Sequence, residues 1–347
     1  MSMAMAMAED EKHEGGWRSI SASTMRALLS YPSLVHVLQS AFAHPQRFCV
    51  PHRQHYPLSA QPPPHAPATL LIMPAWSHAS SSSSRASALI GVKIATVFPA
   101  NSDRGLPAVS ASYLLLSAHT GLPLCVFDGN ELTLWRTACA SALAARFLAK
   151  TDARSLVMVG AGAMAPHLIK AHISVRPSLK TVVIWNRNPK KATDLADLLA
   201  KDSAMEGVQF NGSSSTNLEV AVRDADIVSC ATLSEAPLVE GKWLKRGVHL
   251  DLVGSFTPAM RECDDDAIRR CGVFVDSSLA LREAGELAGA IQRGVISPQD
   301  VVADLSELAR GEKLGRQTEE EMTLFKSVGC ALEDLATAEY IYTNLYG

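Results

Sequence analysis

Three cations stand in apolar surroundings in the first part of the chain. Arg53 lies in Cys49-Val50-Pro51-His52-Arg53-Gln54-His55, Lys93 in the middle of Ala88–Phe98, and Arg136 soon after Asp128-Gly129-Asn130. A lone charge in such a setting is costly unless it is paired. Each is therefore functional or tied to a buried acid. If the three converge, they form a clamp that grips a carboxylate through charge-assisted hydrogen bonds. If they do not, each sits in its own structural ion pair.

A second constellation implies different chemistry. Leu156 to Gly160 is a short apolar strand, and Gly160-Ala161-Gly162-Ala163-Met164-Ala165 fits the pattern G-x-G-x-x-A. In that pattern the first Gly permits a tight turn and the second lets the backbone approach a pyrophosphate. The small third residue lets the next helix pack close. Pro166 suits a first helical turn, Leu168, Ile169, His172 and Ile173 follow at helical spacing, and Lys180–Trp185 is a second strand. Strand, turn, helix and strand together make this a dinucleotide site rather than an ordinary crossover. Beyond the second strand an NAD site usually carries an acid, but here stand Asn186-Arg187-Asn188, with Lys190 and Lys191 beyond. Cations in place of the acid favour a 2′-phosphate, hence NADPH, with NADH the alternative. A solvated basic helix start is the plainer explanation of the same residues.

Other polar residues carry less. His52 and His55 lack an intervening Glu and a third ligand, so no metal site is expected. Asp264-Asp265-Asp266 reads as the acidic first turn of a helix, and Glu283 and Glu286 as a solvated face. The seven cysteines are scattered, odd in number and without metal-like spacing, which reads as free thiols in a reducing compartment. A net charge of −3 gives no reason to invoke nucleic acid or a membrane surface. No apolar run reaches the roughly 18 residues that span a bilayer. The start, with Glu9, Asp10, Glu11 and Glu14, fits neither a secretory signal nor a transit peptide, so a cytoplasmic location is expected from it.

The elements that must position these groups follow from the pattern. At 347 residues the chain is long enough for two domains. A helix starts near Ile20–Met25 with Ser21 or Ser23 as cap, and a second ends near Phe42 after a break at Tyr31–Ser33. Phe48–Tyr56 is extended, Gln61–Pro67 is a stiff connection, and Ser77–Ser84 is a loop. Thr69–Trp76, Ala88–Phe98, Ala111–Ser117 and Pro123–Phe127 are successive strands of an antiparallel domain. Leu132–Lys150 is a helix leading into the parallel fold, whose further strands are Ala225–Thr232, Val248–Val253 and Val273–Asp276. Met322 to Tyr346 has helical period, with Phe325, Val328, Leu332, Leu335 and Ala336 on one face. The fold class is α/β: a Rossmann-type domain over 131–319 and an α+β substrate and dimerisation domain from 1–130 and 320–347.

These segments together resemble the ornithine cyclodeaminase/mu-crystallin family. The stretches that carry the resemblance are Met73-Pro74-Ala75-Trp76, Val92-Lys93, Asp128-Gly129, Arg136-Thr137-Ala138, Gly160-Ala161-Gly162 and Trp185-Asn186-Arg187. Asp251 to Ser255, Met260 to Asp265 and Phe325-Lys326-Ser327-Val328-Gly329 complete it. Ala165–Lys170, Leu250–Phe256 and Glu283–Gly289 look like the plant branch. Its ketimine reductases reduce dehydropipecolate to pipecolate, in lysine catabolism and plant defense. The resemblance implies that Arg53, Lys93 and Arg136 are catalytic and hold the substrate carboxylate, with Lys93 a candidate proton donor. Phe256, Glu283 and Ser327 would also meet substrate. By the same resemblance Arg136, Thr137, Gly160, Ala161, Gly162, Ala163, Met164, Asn186, Arg187, Asn188, Lys191, Thr232, Leu233, Val253 and Ser327 bind NADPH. It implies a homodimer joined through the first domain's sheet and, for the plant branch, a plastid location. Cyclodeaminases carry an Asp two residues after the Gly that matches Gly254, where this chain has Phe256. That departure weakens ornithine cyclodeaminase, which stays as an alternative beside a non-enzymatic NADPH or small-ligand binder of the mu-crystallin type.

Overall fold

The computed structural model describes residues 16–58, 68–78, 88–212 and 218–347. The acidic start, the Gln61–Pro67 connection and most of the serine-rich loop fall outside the described residues. The chain divides into two compact units, Met1–Arg136 with Cys330–Gly347, and Thr137–Gly329. Both boundaries lie later than the residues 130/131 and 319/320 expected from the sequence.

Unit 1 begins with β1 (Arg18–Ile20), α1 (Ala22–Leu28) and α2 (Tyr31–Ala43). The Ser21 hydroxyl accepts from the Thr24 amide to cap α1, and Ser30 caps α2 with Pro32 in its first turn. The break between the helices thus falls just before Tyr31, because Pro32 starts a helix rather than ending one. Then come β2 (Phe48–Cys49), β3 (Gln54–Pro57), β4 (Thr69–Ser77), β5 (Leu89–Val97), β6 (Val109–Ser117) and β7 (Pro123–Asp128), followed by α3 (Gly129–Leu148). The seven strands form one sheet in the order β1-β7-β6-β5-β4-β2, with β3 also on β4. Along β5, Leu89, Gly91, Lys93 and Ala95 are buried while Ile90, Val92 and Ile94 face the other way. This is the period-2 alternation of a sheet covered on one face.

Unit 2 alternates strand and helix. It runs β8 (Ser155–Val159), α4 (Met164–Val175), β9 (Thr181–Trp185), α5 (Pro189–Ala200), β10 (Gln209–Gly212), α6 (Leu218–Asp224), β11 (Ile227–Cys230) and β12 (His249–Leu252). It continues with α7 (Asp265–Arg270), β13 (Gly272–Val275), α8 (Ala280–Glu283), α9 (Gly285–Gln292), β14 (Val301–Asp304), α10 (Leu305–Arg310) and β15 (Thr323–Lys326). The sheet order is β10-β9-β8-β11-β12-β15-β13-β14, and every pairing is parallel. Asp264 caps α7 by accepting from the Ala267 amide, as expected for the acidic first turn.

One expected helix is corrected. Thr323–Lys326 is a buried strand between β12 and β13, and the helix, α11 (Ala331–Tyr346), begins only after Gly329. A strand buried on both faces shows no alternation, so its apolar residues fell by chance on the helical period of α11. The same strand moves the second domain boundary. In unit 1, α11 packs on β4, β5 and α2 and covers the buried face of the sheet.

Candidate active site

Unit 1 assembles the cations. Lys93 pairs across the sheet with Met73 on β4 and Tyr113 on β6. The β3–β4 ladder starts at Gln54↔Ile72, so Arg53 extends it toward the row of Met73 and Lys93. Strand spacing puts Arg53 two strands from Lys93, about 10 Å away. Arg136 is fixed differently. Asp128 Oδ1 accepts from the amides of Asn130 and Glu131, and Asn130 Oδ1 accepts from the Ala111 amide at 2.8 Å. A Cβ on Gly129 would lie 2.6 Å from the Ala111 carbonyl carbon, so only glycine lets α3 start so close to β6. Arg136 then follows two turns along.

The partners of these cations lie in the first turn of α11. Lys93 Nζ donates to Asp334 Oδ1 at 2.8 Å, and Arg136 Nη1 donates to Glu333 Oε2 at 2.7 Å. Arg136 Nε is 2.9 Å from the same Asp334 oxygen, an ion pair lying off the hydrogen-bond direction. Asp334 therefore bridges two like charges. All four side chains are buried. Lys93 and Arg136 are each tied to a buried acid, as one of the two anticipated readings has it, and each keeps N–H groups beyond those used. Burial, and then Arg136, push the Lys93 ammonium down to about 8 against the pull of Asp334. Burial opposes the charge on Arg136 too, but Asp334 and Glu333 outweigh it and keep that guanidinium charged. Two cations and two acids thus balance within this group, and Arg53 stands half-buried beside the same row of the sheet. The sequence reading missed Glu333 and Asp334, which lay inside the helix expected from Met322 to Tyr346 and stand in the first turn only because the helix begins at Ala331. The signal was the two cations, which demanded buried acids from somewhere.

Unit 2 supplies the nucleotide turn. Gly160 has φ +113°, and a Cβ there would lie 2.6 Å from the Ala231 carbonyl oxygen. Gly162 is different: a Cβ there would meet nothing within 4 Å. The protein does not need a glycine at 162, but a ligand lying against the turn does. The space opens at the start of α4, whose first amides have no side-chain cap and suit a pyrophosphate. The turn therefore fits a dinucleotide. At the end of β9, Asn186 Nδ2 donates to the Asn188 carbonyl, and Asn188 caps α5 by accepting from the Lys190 amide. Lys190 pairs with Asp194 at 2.8 Å. Asn188 and Lys190 are thus committed locally. Arg187 and Lys191 are exposed, and no side-chain hydrogen bond or ion pair ties either to another described residue.

Of the remaining candidates, Leu233, Val253, Phe256 and Ser327 follow the adjacent parallel strands β11, β12 and β15. Leu233 is exposed in the loop after β11, Val253 is buried just after β12, and Thr137 is buried on α3. Phe256 and Glu283 are half-buried. The Ser327 hydroxyl is buried and donates to Asp276 at 3.0 Å, so it is spent inside unit 2. Glu286 corrects an expectation: it is fully buried rather than part of a solvated face. Asp251 is sealed as well, accepting from Ser141, Ser229 and His172.

A sequence model of the ornithine cyclodeaminase/mu-crystallin family matches residues 26–347. The chain is 45% identical to Protein SAR DEFICIENT 4 of Arabidopsis thaliana over 93% of its own length and 96% of that protein's. Among solved structures it resembles the Δ1-pyrroline-2-carboxylate reductase of Thermococcus litoralis, seen with NADH and L-proline. There the TM-score is 0.84 and identity 31%, covering 94% of this chain and 96% of that one. An archaeal alanine dehydrogenase dimer with bound NAD gives a TM-score of 0.82 at 27% identity, covering 94% and 95%. With its cation cluster, its open glycine turn and matches along nearly its whole length, the chain belongs to the ornithine cyclodeaminase/mu-crystallin family.

Proposed function

We propose that the protein is an oxidoreductase that uses NADPH to reduce a cyclic ketimine carboxylate, dehydropipecolate, to pipecolate. The observation that carries this reading is the buried Lys93–Asp334–Arg136–Glu333 group, which holds two cations ready for an acid group. The similar reductase of Thermococcus litoralis, seen with NADH and a cyclic amino acid, supports the reaction type. Arg187 and Lys191, both exposed, support the phosphorylated cofactor.

Bound nicotinamide supplies a hydride. Gly160 makes the tight turn, Gly162 leaves the pyrophosphate room, and the first amides of α4 meet that charge. Arg53, Lys93 and Arg136 hold the substrate carboxylate, which fixes the adjoining C=N; such orientation is worth several kcal/mol, on the order of 7 in favourable cases. Hydride adds to the ring carbon and a proton to the nitrogen, so C=N becomes CH–NH. Lys93, at about 8, carries that proton near neutral pH and is the candidate donor. Ring size is the finer choice: a five-membered pyrroline carboxylate differs by one methylene, worth about 1–3 kcal/mol in an apolar pocket.

The test is NADPH oxidation by purified protein given the six-membered and the five-membered imine across pH 5 to 8. Turnover with a preference for the six-membered ring is expected. A preference for the pyrroline reassigns the substrate. Tight NADPH binding with no oxidation by either imine rejects reduction in favour of a binding protein.

We also infer a homodimer joined through the bare face of the unit 1 sheet. Ile72, Ile90, Val92, Ile94 and Leu114 stand on it partly exposed, Ile94 at 43%, opposite the face that α11 covers. Light scattering that returns the mass of a single chain would remove this inference.

A further inference from the structure

The loops that follow β11 and β12 lie at the carboxyl ends of adjacent parallel strands, where ligands bind in open α/β sheets. Thr232 and Val253 stand on these two loops. The loops touch so closely that a Cβ on Gly254 would overlap the Thr232 backbone. One side chain clasps them. Glu262 Oε1 accepts from the Thr232 amide at 2.6 Å and from its hydroxyl at 2.9 Å, while Oε2 accepts from the Gly254 amide at 2.8 Å. Glu262 is itself anchored: its carbonyl accepts from the amides of Leu238 and Val239, and its amide donates to Glu286 Oε1. Glu286 Oε2 lies 3.7 Å from Lys326 Nζ on β15, and all three ionisable side chains are fully buried.

We propose that Glu262 is a positioning residue for the nicotinamide cofactor, its two oxygens joining the loops after β11 and β12 so that the backbones of Thr232 and Val253 keep one fixed spacing. This rests on the reading of unit 2 as a dinucleotide domain. Every contact of Glu262 on these loops is a donor pointing at an oxygen, so the clasp needs the carboxylate. Burial, helped by Glu286, raises this group to about 7, with Lys326 and the Thr232 donors resisting. The buried Cys230 thiol also lies in its field, and burial holds that thiol and the neighbouring Cys263 thiol neutral. As pH falls through about 7, Glu262 takes up a proton, loses one acceptor and slackens the clasp.

The test is the affinity of the full chain for NADPH and for NADH, read by cofactor fluorescence, in wild type and Glu262→Gln. The amide keeps the shape of the carboxylate but can accept at one end only. The variant is expected to bind both cofactors about tenfold more weakly, with KM for the imine unchanged. Wild-type NADH affinity is expected to weaken below about pH 7, and that dependence to vanish in the variant. NADH has no 2′-phosphate to titrate, so the change reports the protein. Wild-type affinity in the variant, or wild-type NADH affinity flat from pH 6 to 8, overturns the proposal. The second measurement stands even if the variant does not fold. A wild type that binds neither cofactor instead defeats the proposed function.

Discussion

In unit 1, Lys93 and Arg136 meet Asp334 and Glu333 at 2.7 to 2.9 Å; in unit 2, Lys326 stops 3.7 Å short of Glu286, and Glu262 is bonded to two loops. Both clusters are buried, yet they use their acids for different ends. The unit 1 acids grip side chains, so two like charges stand together and keep donors to spare. The unit 2 acids grip backbone amides, and the lysine serves as a distant counter-charge. Burying a charge is costly in either place, and what repays it differs. In one unit it is a poised pair of cations, in the other a fixed loop spacing.

The largest effect that would break this contrast is at Lys93. Lys93→Met is expected to lower imine reduction on the order of a thousandfold while NADPH affinity stays near wild type. A loss of cofactor affinity of the same size would put Lys93 with the cofactor instead. A smaller effect sharpens the contrast at Asp334. The protonated Lys93 is the working form, so kcat/KM should fall as pH rises through about 8. Asp334 holds that limb up, so Asp334→Asn should move it to lower pH and cost about tenfold in rate. A limb that stays in place would make Asp334 a structural acid only. The smallest effect is at Arg187, where Arg187→Ala should raise KM for NADPH about tenfold and leave KM for NADH alone. Equal losses for both cofactors would remove the 2′-phosphate from the account.

The sequence made the nucleotide turn legible because its signal is local: a buried strand, three small residues at fixed spacing, and a helix. The alternating strands of unit 1 were legible for the same reason. What stayed hidden came from burial on both sides or from distant partners. β15 carries no alternation, so Phe325 joined a helical face that begins only at Ala331. Glu286 and Glu262 look like solvated acids, and nothing nearby in sequence shows that Glu262 joins two loops while Glu286 holds its amide. Asp334 lies 241 residues from Lys93, and only the cost of an unpaired buried lysine hinted at it.

The central claim is that Lys93, Arg136 and Arg53 hold the acid group of the substrate. A crystal structure of the protein with NADP and pipecolate tests it directly. The account predicts the pipecolate carboxylate within hydrogen-bond reach of Lys93 Nζ and the two guanidinium groups. A carboxylate bound elsewhere, with the Lys93–Asp334 and Arg136–Glu333 pairs facing no ligand, would contradict it.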